Sequence, residues 1–180
     1  MLPLKGLDSL VVSPDGRHVY AGAYHSRSIV AFDRSLSTGL LDYRPDLGVY
    51  GSFRGYEAER AASRSFIDCE HEFDCSQIGY GRPYQGLSQL VISADGEFVY
   101  STSFLGNSVS VIRRHSSGAL THIQSIQNRR VLRNRFVDGL AGASSIFLSY
   151  ASNTVYVTGF TDLSLVCFQR DPKNGTLEYV

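Results

Sequence analysis

The sequence predicts an all-β protein built from repeated four-stranded units, and three observations carry that expectation. First, the block Ser13-Pro14-Asp15-Gly16-Arg17-His18-Val19-Tyr20 returns as Ser93-Ala94-Asp95-Gly96-Glu97-Phe98-Val99-Tyr100. It returns again, altered, as Ser149-Tyr150-Ala151-Ser152-Asn153-Thr154-Val155-Tyr156. Second, Arg34, Arg114 and Arg170 each close an apolar stretch in the same register of their copy. Third, 11 tyrosines and 10 phenylalanines stand against one methionine and no tryptophan, a bias that suits pleated, half-buried surfaces better than helices. Four short antiparallel strands per copy, with turn signals between them, is the pattern of a β-propeller blade.

The first copy sets the grammar. Leu10-Val11-Val12 is a short apolar strand, and Pro14-Asp15-Gly16 fits a tight turn in which proline presets φ and glycine takes the crowded position. A second strand runs over 18–24, His25-Ser26-Arg27-Ser28 turns the chain, and a third strand runs over 28–34. Ser37-Thr38-Gly39 turns it again into a fourth strand opening at Leu40-Leu41-Asp42-Tyr43. The second copy repeats this from Gly86-Leu87, through Leu90-Val91-Ile92 and strands over 98–104 and 108–114, to Ser117-Gly118-Ala119-Leu120. In the third, Ile146-Phe147-Leu148, then 155–160, 164–170 and Asn174-Gly175-Thr176-Leu177 fill the same slots. The blade repeats therefore lie at about 6–47, 86–126 and 142–180, with an insertion over 48–85.

One such sheet cannot bury both of its faces and must stack on a neighbour. Propellers close with four to eight blades, and three are present here. The chain is accordingly read as part of a six- or seven-bladed ring, with closure by several copies of the chain as the alternative. The segment 176–180 is read as an innermost strand, and the chain as starting after one, so that Met1 is not expected to begin the fold.

The motifs carry a family resemblance. Gly-Leu-x-x-Leu-Val-Val-Ser-Pro-Asp-Gly-x-x-Val-Tyr, Tyr156-Val157-Thr158-Gly159, Phe168-x-Arg170-Asp171 and Gly175-Thr176-Leu177 resemble the lactonase-type β-propeller family. That family takes in YVTN-repeat surface proteins and 6-phosphogluconolactonase-like enzymes. The resemblance covers the three repeats, excludes 48–85 and is loose over 126–141. It rests on turn and core residues, so it implies a fold more than an activity.

Formal net charge is zero, so no global field draws in nucleic acid or an anionic membrane, and no apolar run is long enough to span a bilayer. Met1-Leu2-Pro3-Leu4-Lys5 has no signal-peptide pattern, which leaves the compartment open between cytoplasmic and exported. Neither metal nor cofactor is expected. Cys69, His71 and Cys75 lack the usual zinc-ligand spacing. Cys69 and Cys75 are either a disulfide closing the insertion or two free thiols, and Cys167 is expected to be a buried inert thiol. Within the insertion, 57–64 has helix-forming residues and reads as a short helix or an extended lid.

Four residues are candidates for ligand contact. Arg129, Arg130 and Arg133, with Arg135 beside them, form a basic run between the second and third copies, either an anion site or a solvated loop. His25 stands in a turn where the other copies have Leu105 and Thr161, and departure from a repeat is how a site is built on a repetitive scaffold. Two functions follow from these residues and the resemblance. One is a binding or scaffold module, whose ligand or protein partner the sequence does not name. The other is a metal-independent lactonase, which needs a general base and a cation facing the oxyanion, with His25 or His71 and an arginine of 129–135 as candidates. No Gly-rich phosphate loop or nucleophile elbow is present.

Overall fold

A computed structural model describes residues 4–51, 66–67, 84–149 and 153–180. Cys69, His71, Cys75 and the segment 57–64 lie outside the described residues. Three antiparallel meanders follow one another along the chain. Blade 1 comprises β1 (Leu7–Val12), β2 (His18–Ala23), β3 (Ser28–Arg34) and β4 (Leu41–Gly51), with the two-residue β5 (Phe66–Ile67) pairing parallel to the end of β4. Blade 2 comprises β6 (Leu87–Ile92), β7 (Phe98–Ser103), β8 (Ser108–Arg114) and β9 (Leu120–Gln127). A ribbon of β10 (Arg130–Leu132) and β11 (Arg135–Val137) follows it. Blade 3 comprises β12 (Ala143–Ser149), β13 (Thr154–Gly159), β14 (Ser164–Arg170) and β15 (Leu177–Tyr179). Among the described residues no helix is long and apolar enough to cross a membrane.

Turn chemistry sets the first hairpin of each blade. Ser13 Oγ accepts from the His18 amide and donates to the Asp15 carboxylate, which also accepts from the Arg17 amide. Gly16 sits at φ 71°, in the left-handed region that costs a side chain dearly. Ser93, Asp95 and Glu97 repeat those bonds in blade 2.

The first strands lie where the blades come closest. The one-carbon side chain of Ser9 accepts from the Leu90 amide at 2.9 Å, linking β1 to β6. Ser88 Oγ reaches the Ala143 carbonyl at 3.0 Å, and Gln89 Oε1 accepts from the Ile146 amide at 2.8 Å, linking β6 to β12. So short a reach places β1, β6 and β12 on the ring axis. The expected position of the last strand is thereby corrected. Leu177–Tyr179 pairs with β14 as the fourth, outer strand of its own sheet, and β1 is itself an inner strand.

Two apolar cores fill the spaces between blades. Tyr20, Ile29 and Ala31 meet Leu87, Leu90, Val99, Ile112 and Leu120 between blades 1 and 2. Tyr100, Val109 and Val111 meet Ile146, Val155, Val157, Val166, Phe168 and Leu177 between blades 2 and 3. Each blade thus has a leading face toward the preceding blade and a trailing face toward the next. The same leading-face positions differ sharply in burial: Leu90 is 3% and Leu120 0% exposed, while their blade 1 equivalents Leu10 and Leu41 are 66% and 49% exposed. Leu90→Ala is therefore expected to cost about 2–5 kcal/mol in urea unfolding. Leu10→Ala, at the matching position, should cost well under ~1 kcal/mol. Equal costs would contradict this assignment of the faces.

Cys167 also departs from expectation. It is a free, half-exposed thiol rather than a buried one. The alternation of β14 explains this: Val166 and Phe168 point into the core, so Cys167 faces outward with Tyr156, its cross-strand partner.

Candidate functional site

The meander sends its turns to two ends. One end carries the turns after the first and third strands of each blade. The other carries the turns after the second strand, together with the connections between blades.

At the first end the recurring arginine joins blades together. Arg114 donates from Nε to the Tyr20 hydroxyl (3.0 Å), from Nη1 to the Gly96 carbonyl (3.2 Å) and from Nη2 to Asp15 (2.7 Å). Arg170 repeats this one blade on, with Nε to the Tyr100 hydroxyl (2.7 Å) and Nη2 to Asp95 (2.9 Å). The phenols pass a hydrogen bond onward to the carbonyls of Gly118 and Gly175. Both glycines press against a ring of the preceding blade, His18 or Phe98, so closely that a Cβ would overlap it. Burial pushes Tyr20 and Tyr100 up to about 12. Burial also works against ionisation of Asp15 and Asp95. Bonds from the serine hydroxyl, a backbone amide and the arginine outweigh it and hold both carboxyls well below their usual range.

His18 replaces the Phe98 of the next blade and adds polar contacts. Its Nδ1 lies 2.9 Å from Arg114 Nη2 and its Nε2 lies 3.5 Å from Asp33. An arginine can only donate, so Nδ1 accepts and the ring is the neutral tautomer carrying its proton on Nε2. Burial and then the Arg114 charge lower its pKa. The register of the arginines was legible in sequence, but their Tyr–Asp partners, 94 and 99 residues away for Arg114, were not.

The second end holds the sequence-derived candidates. His25 lies in the β2–β3 turn with its ring over Gly6 and edge-on to Tyr24 at 5.1 Å. Leu105 covers Gly86 and Thr161 covers Gly142 in the same way. The slot packs a side chain on a glycine, which explains why its chemistry varies. The basic run forms the β10–β11 ribbon instead of a loop. Its two-residue turn is Arg133-Asn134, at φ 45° and 69°, the left-handed pair that matches strand twist. Arg129, Arg130, Arg133 and Arg135 are exposed along it, and Arg135 donates to the Tyr179 carbonyl at 3.3 Å. Arg129 also lines an open cleft of about 510 Å³ with Asp138, Asp162, Ser164 and Tyr179. The structure brings Arg129, Arg130 and Arg133 together on one ribbon and places His25 on a different blade at the same end.

A third grouping escaped the sequence. The Tyr84 hydroxyl lies 2.7 Å from His122 Nδ1, His122 Nε2 lies 3.2 Å from Ser125 Oγ, and Ser125 Oγ lies 3.1 Å from Ser110 Oγ. Strand residues three apart belong on opposite faces. Ile123 is an extra residue opposite β8, since His122 pairs with Ile112 and Gln124 with Val111. That bulge turns His122 and Ser125 to the same side. Tyr84 is fully buried and Ser110 likewise, and the cleft beside Arg129 is not lined by any of the four. The chain of bonds anchors Tyr84, near the end of the insertion, to β9. Among the described residues no three His, Cys, Asp or Glu side chains are gathered as metal ligands would be.

Comparison with known proteins decides the family. Residues 80–180 match the model of the lactonase, 7-bladed β-propeller family. The chain belongs to that family. Among solved structures, the periplasmic gluconolactonase of Pseudomonas aeruginosa superposes with a TM-score of 0.68 at 20% identity, over 100% of this chain and 40% of its own. A Lactobacillus plantarum protein gives 0.66 at 20% identity, over 95% of this chain and 39% of its own. A Bacteroides fragilis protein proposed to be a 6-phosphogluconolactonase gives 0.65 at 16% identity, over 95% and 36%. No curated protein matches significantly. This lactonase-family chain therefore spans about two fifths of the length of the solved propellers it resembles.

Proposed function

We propose that the chain is an arc of a seven-bladed lactonase-type ring and serves as a binding module, with the arginine ribbon as its contact for a small carboxylate- or phosphate-bearing ligand. The observation that carries this reading is the ribbon itself. It holds exposed arginines on a paired, twist-matched β-scaffold beside an open cleft, and guanidinium groups are suited to forked recognition of such anions.

A second reading is favoured by what the relatives are said to do: hydrolysis of a sugar lactone. It requires a base poised on water next to a cation, assembled with blades beyond this arc.

One experiment separates the two. Gluconate and 6-phosphogluconate are titrated into the chain, and gluconolactone opening is followed as acid release. Binding that weakens as salt rises, and falls about tenfold or more in an Arg129→Ala, Arg130→Ala, Arg133→Ala triple variant, supports the binding module. Acid release above the buffer rate, lost in the same variant, would replace that reading with hydrolysis. Neither binding nor turnover removes the ribbon as a site.

A further inference from the structure

In blades 2 and 3 the third-strand arginine uses Nη1 within its own blade and turns Nε and Nη2 to the blade before it. Arg34 keeps the first half of that arrangement, with Nη1 donating to the Gly16 carbonyl at 3.1 Å. Among the described residues its Nε and Nη2 make no hydrogen bond. Around it Leu7, Leu10, Val12 and Leu41 are exposed at positions whose equivalents pack against a preceding blade. The surface therefore sets exposed apolar side chains beside one guanidinium, the two features that a preceding blade covers in blades 2 and 3.

We propose that the leading face of blade 1 is a docking surface for another propeller blade of defined chemistry. Its first turn carries the carboxylate of Ser-x-Asp-Gly and its second strand carries a tyrosine, and Arg34 reads both. This rests on the reading of the chain as an arc of a larger ring. A second copy of this chain meets only half of the requirement. The trailing face it leaves uncovered is that of blade 3, where Phe147 and Leu165 are exposed beside Tyr156. Tyr156 stands where Tyr20 and Tyr100 stand, but the turn sequence Ser149-Tyr150-Ala151-Ser152-Asn153 contains no acid. The occupant is therefore a different blade, one that retains the aspartate.

The rule can be tested by giving the chain's own trailing face the missing group. Ala151→Asp, in the full chain, restores the residue found at Asp15 and Asp95. Light scattering across protein concentration should show self-association at least about tenfold tighter than wild type, since the new contact is a charge-assisted bond. A head-to-tail contact that does not close should grow beyond a dimer. The gain should vanish in Ala151→Asp with Arg34→Ala, while Arg34→Ala alone leaves the wild-type mass unchanged. Circular dichroism checks folding, and Ala151→Asp with Ser152→Gly, matching the blade 2 turn, serves if the single variant does not fold. An unchanged mass in folded Ala151→Asp, or a gain that survives loss of Arg34, overturns the proposal. So does wild-type association that is equally tight. Binding of an apolar dye to wild type, reduced by Leu10→Ser, reports separately on the arc reading: no dye binding means the leading face is already covered and that reading fails first.

Discussion

Replacing Arg114 by alanine is expected to destabilise the protein by about 3 kcal/mol, measured by urea unfolding. A buried guanidinium that makes several hydrogen bonds is lost, each worth roughly 1 kcal/mol net, while Asp15, at 43% side-chain exposure, is rehydrated. The loss is shared by four acceptors, since the Tyr20 hydroxyl, the Gly96 carbonyl, His18 Nδ1 and Asp15 all surrender the same donor. Arg114→Lys should recover less than half of it, because an ammonium cannot span a phenol, a carbonyl and a carboxylate from one plane. Arg34→Ala makes the decisive contrast. It removes a side chain with one such bond and should cost under ~1 kcal/mol. Equal costs for the two arginines would mean that Arg114 contributes ordinary packing and nothing across the blade boundary. Acid should act in the same direction as the substitution. Asp15 and Asp95 have folded pKa values below their unfolded ones, so their contribution is complete above about pH 4 and is lost as pH falls through the folded values.

The second large effect is set by His122. Burial lowers its pKa to about 4 from 6.5, so the folded state resists protonation more than the unfolded chain does. Stability from this ring is fully present above pH 6.5 and is lost as pH falls toward 4. The loss amounts to about 3 kcal/mol at most, an upper bound because the ring is not wholly enclosed. The physical event is loss of an acceptor. A protonated imidazole donates from both nitrogens, and the buried Tyr84 hydroxyl can then only accept. His122→Gln should be less stable than wild type at pH 7, and its unfolding free energy should fall less steeply than that of wild type between pH 6.5 and 4.5, the slope that remains being that of His18. A variant that keeps the wild-type slope in that window would assign the acid sensitivity to another group.

The two effects also mark what was legible in the sequence. Blade number, the run of four strands per blade and the glycine turns follow from local chemistry, since Ser13, Asp15 and Gly16 make the bonds of their own turn within five residues, whereas which strand lies innermost did not. The recurrence of Arg34, Arg114 and Arg170 was visible as a pattern, and its partners became visible only when one blade lay against another. His25 read as a departure from the repeat because a sequence cannot show that its slot merely covers a glycine. The arginine ribbon read as a loop because its turn is Arg133-Asn134, without the Asn-Gly signal that usually marks such hairpins. The Tyr84–His122–Ser125 chain was hidden by a single extra residue, Ile123, which reverses the side that each following position faces.

The spacing of the interblade bonds has a kinetic consequence. Arg114 and Asp15 are 99 residues apart, and Arg170 and Asp95 are 75 apart, whereas each meander is built from neighbours. Closing such long loops is entropically costly and is repaid late. The meanders are therefore expected to form early in folding and the arginine bonds to lock after the rate-limiting barrier. A substitution at Arg114 then leaves the refolding rate almost untouched and appears as faster unfolding. The arginines act as latches on the lifetime of the stacked arc, and how long the blades stay together is set by contacts that play little part in bringing them there.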